Sequence, residues 1–104
     1  MGFGNMQQMM KQAQKMQREM QRVQEELKER TVEGSGGGGA AKVVMTCGFR
    51  VQQVEIRPEA IDPSDPDFLA ELMRQAMQDA LDRVQEVTQV EMAKVTGGMR
   101  LPGM

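Results

Sequence analysis

Apolar side chains in the first thirty residues recur at alternating spacings of three and four. The positions are Met6, Met9, Ala13, Met16, Met20, Val23 and Leu27. This spacing is the heptad pattern of a helix that packs against another helix along a narrow seam. Residues 1–30 are therefore predicted to form one long helix. Because such a seam needs a partner helix, a dimer is expected.

Two short apolar runs in the middle of the chain predict a strand hairpin. Residues 43–46 (VVMT) suit one strand, and apolar side chains within residues 51–56 suit a second, although this run does not alternate strictly. A turn is expected near Gly48 and Phe49. Residues 31–33 predict a further short strand before the glycine-rich run, which completes a small antiparallel sheet.

A second helix is predicted over residues 66–95. The acidic, proline-containing segment before it places Asp65 or Ser64 to cap a helix that begins at Pro66. Apolar residues then recur every three or four positions, at Leu69, Leu72, Met73, Ala76, Met77, Ala80, Leu81, Val84 and Val87. A face this wide suits a helix that lies on a sheet and supplies most of the core.

These elements predict an α+β fold with the order α-β-β-β-α in a single domain spanning residues 1–104. Its parts are the helix at 1–30, a glycine-rich connector and strands at 31–57, the helix at 66–95 and a tail at 96–104. The chain is 39% apolar and 27% charged, which is typical of one small soluble domain. It has three Phe, no Trp or Tyr, and twelve methionines, whose flexible side chains suit helix interfaces.

Positive charge is concentrated on one side of the first helix. At about 100° per residue, four basic side chains lie within a sector of about 60° that faces away from the seam. They are Lys11, Lys15, Arg18 and Arg22. The net charge of −2 argues against a protein that coats nucleic acid by charge alone, so any such contact must come from a local patch. Basic side chains on a helix are, however, also common as plain solvated surface.

Several catalytic and metal-binding patterns are incomplete in this chain. There is no histidine, the commonest general base. The glycines within residues 34–39 are followed by two alanines where a phosphate-binding loop needs lysine and then serine or threonine, so this run is interpreted as a flexible connector. Asp62, Asp65 and Asp67 lack the glycine and distal glutamate of a calcium loop, which favours helix capping. Cys47 is interpreted as a packing residue. No enzyme activity, cofactor, metal or small-molecule substrate is expected.

The single cysteine excludes an intramolecular disulfide. The sequence contains neither a charged-then-apolar signal segment nor a long apolar run. A cytoplasmic protein without membrane contact is therefore expected.

Four segments in a fixed order resemble the YbaB/EbfC family of bacterial nucleoid-associated proteins. They are "GNMQQMMKQAQKMQREMQRVQEEL", "VEGSGGGGAAKV", "VEIRPEAIDPSD" and "VTGGMRLPG". The resemblance covers nearly the whole chain. It implies an intertwined homodimer, with long helices projecting from a central sheet, that binds double-stranded DNA without a strict sequence code, organises it in the nucleoid and influences gene expression. The turn "TCGF" departs from the "NGxG"-like turn frequent in the family, which makes Phe49 a candidate exposed contact.

The resemblance assigns the DNA role to the outward basic side chains. Lys11, Lys15, Arg18 and Arg22 are expected to contact phosphates, with Arg100 in the tail as a weaker candidate. Two such sets in a dimer give up to eight charges, and about six to ten phosphate contacts make affinity fall by about 10³ to 10⁵ between 50 and 200 mM salt. An alternative stays open: a helical protein-interaction module or scaffold in which these charges only solubilise the surface.

Overall fold

The computed structural model describes residues 3–96 and confirms the α+β fold with the order α-β-β-β-α. The elements are α1 (Phe3–Glu29), β1 (Thr31–Gly36), β2 (Ala41–Thr46), β3 (Val51–Ile56) and α2 (Pro66–Thr96). The strands form one antiparallel sheet in the order β1-β2-β3. Short 3-10 turns at Gly37–Gly39 and Pro58–Ala60 follow β1 and β3. Thr96, the first residue of the predicted tail, is the last residue of α2, and the rest of the tail, including Arg100, lies outside the described residues.

The first strand extends into the glycine-rich run, which corrects its interpretation as a flexible connector. β1 continues to Gly36, because α2 crosses the strand at glycines, which have no side chain to keep the helix away. A Cβ atom at Gly34 would overlap the backbone of Ala76 and Ala80, and one at Gly36 would overlap the carbonyl oxygen of Leu72. These glycines therefore form the surface on which the backbone of α2 packs.

Side chains of α2 also occupy the outer edge of β1. The backbone N–H of Ser35 donates to Asp79 Oδ2 (2.9 Å), and that of Gly37 donates to Gln75 Oε1 (3.2 Å). An exposed strand edge is a template for pairing with another chain. The β1 edge is partly closed in this way, which leaves β3 as the open edge of the sheet.

The buried face of α2 is narrower than the sequence predicts. Only Leu72, Ala76, Ala80 and Val84 are buried on this helix within the described chain. They pack against Ala41, Val43 and Met45 of β2 and against Val23 and Leu27 of α1. Met77 and Leu81, predicted on the same face, are exposed because close packing on the glycines lets small residues make the contact and turns the flank of the helix outward.

The start of α2 confirms the predicted cap. Asp65 Oδ1 accepts a hydrogen bond from the backbone N–H of Phe68 (3.2 Å). Asp62 Oδ1 accepts from both the backbone N–H (2.9 Å) and the hydroxyl (2.7 Å) of Ser64, and these bonds lower the pKa of Asp62. Two of the three aspartates considered for calcium therefore hold the turn that starts the helix.

The predicted β2–β3 turn is confirmed at Cys47–Phe49. The buried hydroxyl of Thr46 accepts hydrogen bonds from the backbone N–H groups of Gly48 and Arg50 (both 3.2 Å). Phe49 has φ +66°, a left-handed conformation that costs a residue with a side chain about 1–3 kcal/mol. Its side chain is exposed, as the altered turn sequence suggested. Cys47 is buried in the core, which confirms its packing role.

Most of α1 extends beyond the rest of the molecule. Val23 and Leu27 are buried and Met20 is half-buried, whereas residues 4–18 are exposed apart from the half-buried Met16. We call residues 4–18 the arm and residues 19–96 the body. The molecule measures 75 × 28 × 15 Å with a radius of gyration of 20.5 Å. A compact chain of this length has a radius of gyration of about 13 Å, so this fold is highly extended.

Candidate nucleic-acid interface

Three of the four predicted DNA-binding residues form an unpaired basic set on the arm. Lys11, Lys15 and Arg18 are exposed, and among residues 3–96 none of them makes an ion pair with an acidic side chain. No aspartate or glutamate precedes Glu19 in the sequence. The arm therefore presents net positive charge that no ion pair within residues 3–96 neutralises, although the charge of Lys15 helps to lower the pKa of Glu19, one helical turn later.

Arg22 differs from the other three, although the sequence groups it with them. Its Nη2 lies 2.7 Å from Glu19 Oε2 and its Nη1 lies 2.8 Å from Glu26 Oε1. Hydrogen bonds to these carboxylates raise the pKa of Arg22, and the bond to Glu19 has the larger effect. The same bond lowers the pKa of Glu19. Arg22 is thus electrostatically neutralised at the base of the arm, since acidic side chains lie one helical turn before and after it.

Basic side chains of the body are mostly paired in the same way. The pairs are Lys28–Glu25, Arg30–Glu91, Lys42–Glu33, Arg74–Glu71, Arg83–Asp79 and Lys94–Glu91. Within the described chain, Arg50 and Arg57 at the two ends of β3 have no such partner. Sequence reasoning missed them because each stands singly just outside the strand, where no periodic pattern identifies it. The largest set of unpaired positive charge in the described chain is on the arm.

One long-range ion pair within the body joins the C-terminal end of α1 to α2. Arg30 is the single residue between α1 and β1, and its Nη1 lies 2.8 Å from Glu91 Oε1 on α2. The same oxygen lies 3.1 Å from Lys94 Nζ. Hydrogen bonds from Lys94 and Arg30 lower the pKa of Glu91, and the bond from Lys94 has the larger effect. This contact, with the packing of Val23 and Leu27, sets the direction in which the arm leaves the body.

An apolar groove lies between β3 and the outer flank of α2. Val54 is paired directly with the core residue Val43, and Val51 is paired with Met45, so both face the same side of the sheet as α2. They are nevertheless exposed, because α2 covers β1 and β2 rather than β3. Phe49 closes one end of the groove, where it lines an open cavity of about 400 Å³ with side chains of α2 that include Leu81.

The described residues contain little that resembles catalytic machinery. Burial raises the pKa of the Cys47 thiol, which disfavours the reactive thiolate. Between residues 3 and 96, no three carboxylate or cysteine side chains come together in a way that could hold a metal ion. Over the same residues, no helix is both long enough and apolar enough to cross a membrane.

Comparison with known proteins places these features in a family. Residues 1–99 match the profile of the YbaB/EbfC DNA-binding family. A nucleoid-associated protein of Moorella thermoacetica is 50% identical over 103 residues, which cover 99% of both chains. A nucleoid-associated protein of Staphylococcus carnosus is 54% identical over 103 residues, covering 99% of this chain and 98% of that one. These names describe nucleoid-associated, DNA-binding proteins rather than enzymes.

A solved structure shares the fold. The crystal structure of the uncharacterized protein HP0035 from Helicobacter pylori superposes with a TM-score of 0.64 at 18% sequence identity, covering 86% of this chain and 90% of that one. At this identity the match supports the architecture of two helices and a three-stranded sheet.

Proposed function

This chain belongs to the YbaB/EbfC DNA-binding family, and from that premise we propose that it binds double-stranded DNA as a homodimer through phosphate contacts with little sequence preference. In this proposal it acts in the cytoplasm as a nucleoid-associated protein that organises DNA and so influences gene expression. DNA is its nucleic-acid partner, and the arms are its DNA-binding elements.

The observation that carries the proposal is the acid-free arm. Lys11, Lys15 and Arg18 are exposed and unpaired within the described chain, whereas most basic side chains of the body face a carboxylate. A protein with net charge −2 is repelled by DNA over most of its surface, so segregation of positive charge onto a projecting helix creates one surface that attracts phosphate. Arg22 contributes less to DNA binding, because its guanidinium already donates hydrogen bonds to Glu19 and Glu26.

Low sequence preference follows from the kind of contact. Charged side chains that project from one face of a helix meet phosphates, which are the same at every base pair. Three unpaired charges per protomer give six in a dimer, which corresponds to a salt slope of about −5 when log K is plotted against log salt concentration.

The apolar groove supports the homodimer. Phe49 is 69% exposed and Val51 is 57% exposed, beside the exposed flank of α2 at Met77 and Leu81. Continuous apolar surface on a soluble protein commonly marks an interface. β3 is also the open edge of the sheet, which is the side on which a second copy meets both the groove and unpaired backbone groups.

The test is fluorescence anisotropy of a labelled random-sequence duplex, titrated with wild-type protein and two double variants at several salt concentrations. Lys15→Gln with Arg18→Gln removes two charges of the unpaired set. Lys28→Gln with Arg74→Gln removes two charges that are already paired with Glu25 and Glu71, and serves as the matched control.

The arm variant is expected to lose affinity strongly and to show a salt slope of only about −2, because two of six phosphate contacts per dimer remain. The control is expected to stay close to wild type. Equal losses in both variants would point to net charge rather than to the arm. A wild-type protein that binds no duplex even at low salt would instead favour the protein-interaction module.

A further inference from the structure

The apolar seam of α1 continues along the arm after it has left the body. Val23 and Leu27 bury this seam against the body, but Met6 and Met9 on the same face are exposed, Met9 by 68%. Met10 beside them is exposed as well. The arm therefore carries a basic stripe on one side and an uncovered continuation of a packing surface on the other.

The positions that border the seam carry no charge on the arm. With Met6 at position a of the heptad, the flanking positions e and g on the arm are Asn5, Met10, Gln12 and Gln17. Lys11, Lys15 and Arg18 occupy positions c and f, on the opposite side. Two arms can therefore approach seam to seam without bringing like charges together, in contrast to most coiled coils, whose e and g positions are charged.

The seam is also complementary to itself in one antiparallel arrangement. If Met6 lies opposite Met16 of a second copy, Met9 lies opposite Ala13 and the same contacts recur by symmetry. The two inner layers then set Met9 against Ala13, a large side chain opposite a small one, and the two outer layers set Met6 against the half-buried Met16. Because each arm joins its body at its C-terminal end, the antiparallel arrangement places the two bodies at opposite ends and avoids a clash between them.

We propose that the arms of two separate dimers pair through their methionine seams and so bridge two DNA duplexes. The occupant of the seam is a second copy of this chain. Pairing leaves the two basic stripes on opposite outer faces, with the helix axes about 10 Å apart, so that each stripe can contact its own duplex. This inference rests on the proposed DNA-binding function and adds the way in which bound dimers are connected.

Pairing of the arms is weak in free protein and strengthened on DNA. The seam of one arm covers only about three helical turns, and isolated helices of about 12–15 residues are marginally stable in water. Binding to DNA aligns many arms and raises their effective concentration, which favours a weak second contact without any new surface. Bridging should therefore rise steeply with the number of dimers bound per duplex.

The experiment measures single-duplex binding and bridging in parallel. One biotinylated duplex is immobilised on beads, and capture of a second, fluorescent duplex of the same length is recorded as protein is added. The seam variant carries Met6→Gln, Met9→Gln and Met10→Gln, which keep a good helix former at each exposed position. The matched control carries Ile61→Gln and Val90→Gln, two exposed apolar residues of the body.

The seam variant is expected to bind a single duplex with a dissociation constant within about twofold of wild type, yet to capture the second duplex at least about tenfold less efficiently. Light scattering is expected to show that it remains a dimer. The control is expected to capture the second duplex as wild type does.

Three results would overturn the inference. The first is a seam variant that bridges as well as wild type. The second is a seam variant that dissociates into monomers, which would place the seam inside the dimer. The third is a wild-type protein that binds one duplex without capturing a second. The last result leaves the proposed function standing. Failure of wild type to bind a single duplex would overturn that function and the bridging together.

Discussion

At the scale of single residues, the β2–β3 turn combines a strained backbone with an exposed aromatic ring. Phe49 holds φ +66° and its side chain makes the end of the apolar groove. Glycine would occupy this backbone conformation at lower cost. The protein therefore keeps a residue that is locally unfavourable, which is reasonable if the ring contacts a second copy.

Phe49→Gly separates these two effects. We expect the variant to keep its fold and to gain up to about 1 kcal/mol of local stability, because the left-handed conformation is then unstrained. The dimer dissociation constant should rise at least about tenfold, since aromatic residues dominate interface energies. Sedimentation equilibrium measures the dissociation constant and circular dichroism checks the helix content. An unchanged dissociation constant would exclude Phe49 from the interface.

Asp79 gives a prediction about acid stability. The hydrogen bond from the Ser35 backbone, with help from Arg83, lowers the pKa of Asp79 in the folded protein. A carboxylate with a depressed pKa stabilises the fold above its unfolded pKa, about 3.9 for Asp, and this stability is lost as pH falls through the folded value.

Asp79→Asn keeps an oxygen that can accept the bond from Ser35 but cannot titrate. The melting temperature of the variant should fall less than that of wild type between pH 5 and pH 2.5, although carboxylates such as Glu91 still contribute to the decline. Thermal melts followed by circular dichroism across this range measure the difference. Parallel curves for the two proteins would show that Asp79 contributes nothing to acid unfolding.

At the scale of elements, the contact between β1 and α2 depends on the absence of two side chains. The strand backbone at Gly34 approaches the helix backbone so closely that a Cβ atom would overlap Ala76 and Ala80. Backbone atoms on both sides cannot rotate away as a flexible side chain could. This contact positions α2, and through the ion pair between Glu91 and Arg30 it also holds the C-terminal end of α1.

Gly34→Ala is therefore expected to destabilise the protein by about 1–3 kcal/mol, the usual cost of overpacking a close contact. The matched control is Gly4→Ala on the arm, where a Cβ atom meets nothing within 4 Å. There the change should be neutral or stabilising by up to about 1 kcal/mol, because alanine favours the helix. Urea denaturation measures the free energy of unfolding of both variants. Equal midpoints for the two variants would contradict the packing role of Gly34.

At the scale of the whole molecule, the arm and the body have different roles. The body holds the buried core, the apolar groove and most of the paired charges, whereas the arm holds Lys11, Lys15 and Arg18 and little packing. The overall charge of −2 hides this division, because acidic residues from Glu19 onward outweigh the basic arm. Affinity for DNA is therefore expected to depend on geometry rather than on net charge.

Deletion of residues 2–18 tests the division directly. The truncated chain should still fold and dimerise, because Val23, Leu27 and the groove are all retained. Its affinity for duplex DNA should fall to a level that anisotropy does not detect at about 0.1 M salt, since the unpaired charges of the arm are gone. Light scattering records the dimer mass. Loss of the dimer would show that the arm belongs to the interface between protomers.

Much of the architecture was predictable from sequence because it rests on local rules. The 3-4 spacing from Met6 to Leu27 predicts α1, the cap at Asp65 predicts the start of α2, and the turn near Gly48 follows from the two apolar runs beside it. Charge order is equally local, so the basic stripe and the neutral borders of the seam are visible without coordinates. These features depend on neighbours within about two helical turns.

Tertiary structure alone decided how those elements are used. The glycine-rich run is a strand up to Gly36 because α2, some forty residues later in the chain, packs on Gly34 and Gly36. Met77 and Leu81 stayed exposed because the helix axis lies over β1 and β2. The link from Arg30 to Glu91 joins residues 61 positions apart. Periodicity in the sequence shows which side chains share a face of a helix or strand. Which of these faces is covered depends on elements that are far away in the sequence and pack against it.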